Sequence, residues 1–555
     1  MKMNGSQILM ETLMEQGVDT IFGYPGGAVL NIYDALYDYK DRIRHILTAH
    51  EQGAAHAADG YARSTGKVGV VLATSGPGAT NLVTGIATAF MDSIPMVAIT
   101  GNVSSHLLGK DSFQEIFITG ITMPITKHNF VVRDVHDLAP TIRRAFQIAI
   151  SDRPGPVLVD IPKDITAEFC DYEKMPPVKR REATAIDFSQ LEEVAKMLNE
   201  SQRPIMLFGG GVVSSNAFGS VRELMRKSNI PSCRTLMGTG VLPYGDPLNM
   251  GIIGMHGSVS SSKAVQRADL LFAVGVRFSD RVATNTSNFA RNAKIVHVDI
   301  DPAEHNKNVT LDLSIVGDVR EVVEHLLPLI ETQERRDWLD EIDAFHRDVE
   351  YRPQGCQGCE LKPHLIIQDV YDVLGNDIIM TTDVGQHQIW AAQYTQAQDP
   401  RKFLTSGGLG TMGFGYGASV GAAAAFPGTK VVHITGDGSF HMNLNELSTS
   451  VSNELPIITV LFNNRVLGMV YQWQSSFYRN RYSFTQPERK TDYVALAKAF
   501  GANGVRCDSH EELREALKEA GERLGPTVIE CTLAAGERVL PMIPSGLTID
   551  EVIIE

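Results

Sequence analysis

Gly436-Asp437-Gly438 directly follows the apolar run 431–435, and a second apolar run, 457–462, leads into Asn463-Asn464. A strand that delivers a carboxylate at its tip, between two glycines that let the main chain approach an anion, suits a diphosphate site. The next strand returns an amide oxygen to the same sheet edge. A hard cation such as Mg²⁺ takes oxygen ligands and bridges them to phosphates, so Asp437 and Asn464 are the candidate metal ligands. The alternative for Gly-Asp-Gly is a turn whose Asp caps a helix starting near Leu444. The Asn pair at a strand end favours the metal.

The elements that position these residues form a repeating pattern. Short β-rich runs alternate with helical, Ala-rich stretches, as in parallel sheets covered by helices on both faces. The first block, 1–173, has strand candidates at 68–73, 96–100 and 157–161, and a Pro- and charge-rich connector follows at 174–182. The second, 190–330, has candidates at 205–208, 270–274 and 295–300, before a polar, helical and then Gly/Cys-containing linker at 331–360. The third, 361–540, has candidates at 378–382, 431–435, 457–462 and 528–531, and a tail occupies 541–555. The expected fold is α/β: three doubly wound parallel-sheet domains of ordinary size.

Bulk composition narrows the function. A chain of 555 residues exceeds one core, and 43% hydrophobic content with 25 prolines and 49 glycines fits a folded α/β enzyme. The net charge of −15, with no dense Lys/Arg block, argues against a nucleic-acid partner. Cys170, Cys233, Cys356, Cys359, Cys507 and Cys531 make neither a disulfide framework nor a zinc pattern, and Cys356 and Cys359 form a lone CxxC. Residues 1–17 read as an amphipathic helix rather than a signal or transit peptide. No window approaches the roughly 18 apolar residues of a membrane span. A soluble protein of the reducing cytoplasm is expected.

Gly-Asp-Gly with its downstream Asn pair resembles the thiamine diphosphate binding motif. That cofactor makes a second demand: its C2 loses a proton to its own aminopyrimidine, which needs a carboxylic acid at the ring nitrogen opposite the amino group. Glu51 is the candidate. In Thr48-Ala49-His50-Glu51-Gln52-Gly53-Ala54-Ala55-His56-Ala57-Ala58, small residues crowd a helix start where a surface acid would have charged neighbours. A Glu that only complements the helix dipole is the alternative.

Longer strings carry a closer resemblance. They are Phe22-Gly23-Tyr24-Pro25-Gly26-Gly27-Ala28, Thr74-Ser75-Gly76-Pro77-Gly78, Phe113-Gln114-Glu115, Gly385-Gln386-His387-Gln388, Ser406-Gly407-Gly408-Leu409-Gly410-Thr411-Met412-Gly413 and Gly468-Met469-Val470-Tyr471-Gln472-Trp473. With His50-Glu51, they make essentially the whole chain similar to the catalytic large subunit of the acetohydroxyacid synthase (acetolactate synthase) family. The resemblance implies that Gly385 to Gln388 line the diphosphate. It also implies cofactor contacts from Pro25, Val384, Gly436, Gly438, Ser439, Gly468 and Met469, with the Gly410 carbonyl facing the pyrimidine amino group. Val466 would add a main-chain carbonyl to Mg²⁺. Met412 would wedge between the two rings, where a flexible apolar side chain holds a bent cofactor without a competing hydrogen bond; a core methionine is the alternative.

The middle block adds a second cofactor. Arg203-Pro204-Ile205-Met206-Leu207-Phe208-Gly209-Gly210-Gly211 is a strand followed by three glycines, suited to a diphosphate or only to a turn. Gly254-Met255-His256-Gly257, Arg277-Phe278-Ser279-Asp280-Arg281, His297-Val298-Asp299-Ile300-Asp301 and Gly317-Asp318 resemble the family's FAD domain. The resemblance implies FAD contacts from Arg153, Gly209, Gly210, Gly211, Thr235, Leu236, Met255, His256, Gly257, Arg277, Asp299, Ile300, Asp318 and Val319. Ser279 replaces a second Asp usual there, which loosens a local charge pair.

The activity so implied is decarboxylation of pyruvate and carboligation of the hydroxyethyl unit to a second 2-ketoacid. With pyruvate or 2-ketobutyrate this gives 2-acetolactate or 2-aceto-2-hydroxybutyrate, in branched-chain amino-acid synthesis. Glu51, Gln114, Lys163 and Phe113 are the implied catalytic residues. Val29, Phe113, Met469 and Val470 would keep water away, and Gln114 offers a neutral hydrogen bond where an acid would be harmful. Arg281 would bind the second substrate's carboxylate, with Met255, Met469 and Val470 as further substrate contacts. Trp473 would flank that acceptor and discriminate by one methylene, about 1–3 kcal/mol, with core packing as the alternative. The implied partners are further copies of the chain, as homodimer or homotetramer, and a small regulatory subunit. Competing readings are an FAD-free catabolic acetolactate synthase, a pyruvate oxidase, a 2-ketoacid decarboxylase, or a regulator without catalysis. The Gln386-His387-Gln388 string, Trp473 and the 539–546 tail weigh against the first three, and Glu51, Asp437 and Asn464 against the last.

Overall fold

Three six-stranded, wholly parallel sheets organise the chain in the computed structural model, which describes every residue except 182–185 and 354–359. β1 (Lys2–Asn4) comes first, and helix Gly5–Glu15 follows it. The expected helix over 1–17 is therefore shorter. Asn4 closes a capping box with Gln7, so the helix cannot extend upstream, and β1 pairs instead with a later strand. The first sheet holds β2 (Thr20–Gly23), β3 (Arg44–Leu47), β4 (Gly69–Ala73), β5 (Met96–Asn102), β6 (His128–Val131) and β7 (Pro156–Pro162), in the order β3-β2-β4-β5-β7-β6. β8 (Phe169–Asp171) then returns antiparallel to β1.

The middle sheet holds β9 (Pro204–Phe208), β10 (Ser232–Arg234), β11 (Asn249–Ile252), β12 (Leu270–Val274), β13 (Lys294–Asp299) and β14 (Leu313–Val316), ordered β11-β10-β9-β12-β13-β14. The third holds β15 (Ile378–Thr382), β16 (Phe403–Leu404), β17 (Lys430–Gly436), β18 (Ile457–Asn463), β19 (Asn503–Cys507) and β20 (Thr527–Thr532), ordered β16-β15-β17-β18-β20-β19. Counted within each sheet, the first and third share the order 2-1-3-4-6-5, whereas the middle one is 3-2-1-4-5-6, the dinucleotide-binding order. Strands such as β5, β7 and β18 are buried along their whole length, which is why they read as unbroken apolar runs and not as alternations.

The linker holds the expected helix, but that helix is packed on the middle core. Helix Arg336–Asp348 inserts Trp338 and Ile342 into the middle core beside Ile205 and Leu207, so the middle unit continues past residue 330. The tail folds back as well, with Ile543 and Ile549 packed on Val259. The CxxC cysteines Cys356 and Cys359 lie outside the described residues. Cys170, Cys233, Cys507 and Cys531 are buried and free. Among the described residues no helix is long and apolar enough to cross a membrane.

The first and third sheets share one continuous apolar cluster, joined where helix Glu51–Thr65 lies on helix Phe414–Ala425. Glycines permit that approach. A Cβ at Gly421 would lie 1.9 Å from the Ala57 carbonyl oxygen, and one at Gly60 2.3 Å from that of Ala418. Because the obstructing atoms are main chain, Gly421→Ala must push the helices apart. A loss of about 1–3 kcal/mol is expected, measured as a lower chemical denaturation midpoint, and an unchanged midpoint would contradict this packing.

Candidate active site

In open parallel sheets, ligands bind beyond the carboxyl ends of the strands, where the strand order reverses. In the third sheet that reversal lies between β15 and β17, and the segments leaving it are Val384-Gly385-Gln386-His387 and Gly436-Asp437-Gly438. β18 lies beside β17 and ends in Asn463, so Asn464 reaches the same edge. Gly385 and Gly410 adopt φ of 155° and 69°, which other residues adopt at a cost. A Cβ at Gly468 would sit 2.0 Å from Gln386 Oε1 and 2.9 Å from Asn464 Nδ2, and one at Gly436 2.9 Å from His387 Nδ1. A Cβ at Gly438 would lie 2.7 Å from Leu467 Cδ2 and 3.8 Å from the Met412 methyl. Ser439 Oγ accepts from the Gly413 amide at 3.3 Å and lies 3.4 Å from the Val384 carbonyl. These residues therefore surround one cradle.

Asp437 does not cap a helix near Leu444. Gly436 is the N-cap, and Asp437 opens helix Asp437–Asn443 itself. Burial pushes its carboxyl up to about 6, against the opposing pull of the Arg489 guanidinium. A cavity of about 520 Å³ opens next to it, lined also by Asn463, Arg489 and Glu530. Asn464 Oδ1 accepts from the Val466 amide at 3.2 Å. His387 Nε2 is buried without a partner among the described residues. An oxygen-only donor set beside main chain stripped of side chains fits a hard cation carrying a diphosphate.

The first sheet reverses between β2 and β4. Tyr24-Pro25 leaves β2, exposed; Thr74 to Gly78 leaves β4; and the turn after β3 leads into Glu51, the first residue of its helix. Asn81 Nδ2 donates to Glu51 Oε2 at 2.9 Å. A Cβ at Gly78 would stand 3.1 Å from Glu51 Oε1, and one at Gly76 2.8 Å from the Gln114 carbonyl oxygen. Glu51, the glycine turn and Gln114 thus share an edge. Lys163 begins a helix after β7, and its carbonyl accepts from Asn31. Phe113 is 88% exposed. Val29 is instead wholly buried, packed where a Cβ on Gly101 would strike it, so it lines no opening. Among the described residues no hydrogen bond joins Glu51 to the cradle of the third sheet.

The middle sheet reverses between β9 and β12. Gly209-Gly210-Gly211 leaves one and Gly275 the other, so close that a Cβ on Gly211 would lie 2.5 Å from Gly275 Cα. Thr235 Oγ1 borders Gly209. Asp299 ends β13, with Ile300 next, and burial pushes its carboxyl up to about 6. Arg153 crosses from the first unit to Asp301 at 3.1 Å and Glu304 at 2.8 Å, and Arg180 holds Asp318 at 2.6 Å. His297 has both ring nitrogens buried without a hydrogen bond among the described residues, with Nε2 3.7 Å from the Asp299 carboxylate. This edge fits a second dinucleotide-like group. Leu236 instead packs toward the third unit's core, and the Val319 side chain is buried in the middle core, leaving only its main chain at a helix start.

The substrate candidates are less assembled. Arg281 donates to the Met255 sulfur at 3.3 Å and lies 3.8 Å from Asp280, and its side chain is largely exposed. His256 Nδ1 lies 3.3 Å from the Pro541 carbonyl, and the Gly257 amide donates to the Gly254 carbonyl. On helix Gly468–Phe477, Met469 packs inward, Val470 is half exposed and Trp473 rests against Phe477. No hydrogen bond or cation–π contact joins Trp473 to Arg281 among the described residues.

Comparison with known proteins agrees with this geometry. Residues 3–121, 191–326 and 383–531 match, in turn, the N-terminal TPP binding, central, and C-terminal TPP binding domains of thiamine pyrophosphate enzymes. A probable acetolactate synthase large subunit of Methanocaldococcus jannaschii is 45% identical, covering 98% of this chain and 94% of its own. An acetolactate synthase of Mycobacterium bovis is 45% identical over 99% and 91%. The acetolactate synthase isozyme 3 large subunit of Escherichia coli is 42% identical over 99% and 98%. The chain belongs to the acetolactate synthase large-subunit family. It is a thiamine diphosphate-dependent enzyme.

Residues outside the motif strings, or given no role within them, also support the cradle of this acetolactate synthase family member. Asp383, buried below the cradle, accepts from His433 Nε2, Thr435 Oγ1 and the Gly415 amide. Gln472 ties its helix to the cradle by accepting from Gln386 at 3.0 Å and donating to the Val539 carbonyl at 3.0 Å. Asp92, from the first unit, accepts the Gly407 and Gly408 amides at 3.0 and 2.7 Å and pairs with buried Arg63 at 2.9 Å. It therefore holds the loop that carries Gly410 and Met412. Arg277 reaches the same corner, bonding the Met91 carbonyl and standing 4.0 Å from Asp92. Asp92→Ala leaves Arg63 with Asp59 as its remaining acid and two amides unpaired. A loss of about 3 kcal/mol in denaturant unfolding is expected, and a change within about 0.5 kcal/mol would contradict the geometry.

Proposed function

We propose that this chain joins two 2-ketoacids with loss of CO₂. Pyruvate is decarboxylated and its hydroxyethyl unit passes to pyruvate or 2-ketobutyrate, giving 2-acetolactate or 2-aceto-2-hydroxybutyrate in branched-chain amino-acid synthesis. The observation that carries this reading is the glycine cradle at the third sheet's reversal, with the buried acid Asp437 at its rim. Bound thiamine diphosphate supplies a carbon nucleophile and an electron sink. Asp437, Asn464 and the Val466 carbonyl hold Mg²⁺, and Asp437 gains most because its carboxylate is otherwise desolvated. Val384 to His387, Gly436, Gly438, Ser439 and Gly468 would hold the diphosphate, Met412 would pack against the cofactor's rings, and the Gly410 carbonyl would accept from its amino group.

Glu51 holds a proton at the aminopyrimidine ring nitrogen, oriented by Asn81. Gln114 gives the bound ketoacid a hydrogen bond without an acidic proton, and Lys163 lies on the same sheet edge. Arg281 pairs with the acceptor's carboxylate, and Trp473 sets its side-chain preference. The middle edge, from Gly209 to Asp318 with Arg153, holds FAD. Phe113 and half-exposed Val470 leave apolar surface uncovered, which supports a second copy completing each site. The relatives' name, large subunit, supports a small regulatory partner.

Asp437→Asn removes the charged ligand while keeping its size. Calorimetric titration should show Mg²⁺ and thiamine diphosphate weakened together by about tenfold or more, 1.4 kcal/mol, with acetolactate formation lost at limiting Mg²⁺. Unchanged affinity for both would contradict the metal assignment.

A further inference from the structure

Glu446 lies in the diphosphate-binding unit, at the end of the short segment that runs on from helix Asp437–Asn443. It is fully buried, and its carboxylate crosses to the first unit. There Oε2 accepts the Ala49 amide at 3.1 Å and Oε1 the His50 amide at 3.0 Å, while the Thr449 hydroxyl donates to Oε2 at 2.6 Å. Ala49 and His50 are the two residues directly before Glu51, and His50 is the N-cap of the Glu51 helix. Both oxygens are thus engaged by donors, which offset part of the upward push that burial and the nearby Glu51 give the carboxyl. The space for it exists only because residue 53 is glycine: a Cβ there would lie 2.1 Å from Glu446 Oε1 and 2.3 Å from its Cδ. No other side chain bonds these two amides among the described residues.

We propose that Glu446 is a positioning residue for Glu51: a rigid strut from the metal-bearing segment that fixes the main chain at the start of the Glu51 helix and so aims the Glu51 carboxyl. The inference rests on the role assigned to Glu51 under the proposed function. Asp437 and Glu446 lie on one continuous stretch, helix Asp437–Asn443 and the turn that follows it, so the metal end and the acid's support move together. Losing the strut leaves Glu51 chemically intact but free to tilt, and a displacement near 1 Å at a reacting group costs up to about 100-fold in rate.

The test measures acetolactate formation from pyruvate by the full chain saturated with thiamine diphosphate, Mg²⁺ and FAD. Glu446→Gln replaces one acceptor oxygen by a donor facing an amide. Gly53→Ala keeps the charge but pushes the carboxylate off its seat, so it serves if Glu446→Gln fails to fold. Each is expected to lower kcat by about 10- to 100-fold, with the KM for pyruvate and the affinity for thiamine diphosphate unchanged. In a Glu51→Gln background neither should lower kcat further, because the group being aimed is already lost. Parent-like kcat in Glu446→Gln and Gly53→Ala would overturn the inference, as would defects that multiply with that of Glu51→Gln. Normal turnover by Glu51→Gln alone would overturn the role of Glu51 itself, and the strut with it.

Discussion

The close contact between helix Glu51–Thr65 and helix Phe414–Ala425 is the constraint on which the rest depends. One helix begins at Glu51, and the other begins directly after Met412-Gly413. Fixing their contact therefore fixes both starting points. Gly60 and Gly421 allow main chain to meet main chain there, and the apolar cluster through the contact runs without a break from the first sheet to the third. Two carboxylates then reach across in opposite directions. Asp92 holds the loop before one helix, and Glu446 holds the turn before the other. Buried polar groups of this kind are expensive to leave unpaired, so they favour one arrangement of the units over slid or rotated ones.

The strand order explains where chemistry can gather. In each sheet the strand order reverses beside that sheet's first strand, and the crevice at that point carries the chain's distinctive turns: Thr74 to Gly78, Gly209 to Gly211, and Gly385 to His387 with Gly436 to Gly438. The first and third sheets repeat one order, so the edge that carries Glu51 and the edge that carries Asp437 are variants of one plan. The middle sheet has the dinucleotide order and a different glycine turn. A single structural rule thus accounts for where the glycine turns of all three sheets lie.

Much of this was legible in the sequence because parallel strands buried on both faces read as plain apolar runs; β12 and β15 begin and end where the runs do. The turns after them were legible because glycine is required where main chain must approach an anion or another main chain. What escaped were residues whose partners lie in another unit. Glu446 and Asp92 bond amides more than 300 positions away, and no local pattern marks such a bond. Helix Arg336–Asp348 looked like a linker because only Trp338 and Ile342 face the core, and Val29 looked like a lining residue because its burial depends on Gly101. Trp473 and Arg281 were named through family resemblance, and among the described residues no hydrogen bond or cation–π contact joins them.

The account's central claim is that these edges serve carboligation and not simple decarboxylation. It is tested most directly by supplying the purified chain with thiamine diphosphate, Mg²⁺, FAD and pyruvate, and measuring CO₂ and acetolactate in the same reaction. The account predicts one acetolactate for each CO₂ released. Release of CO₂ with acetaldehyde in place of acetolactate, or no turnover at all, would contradict it.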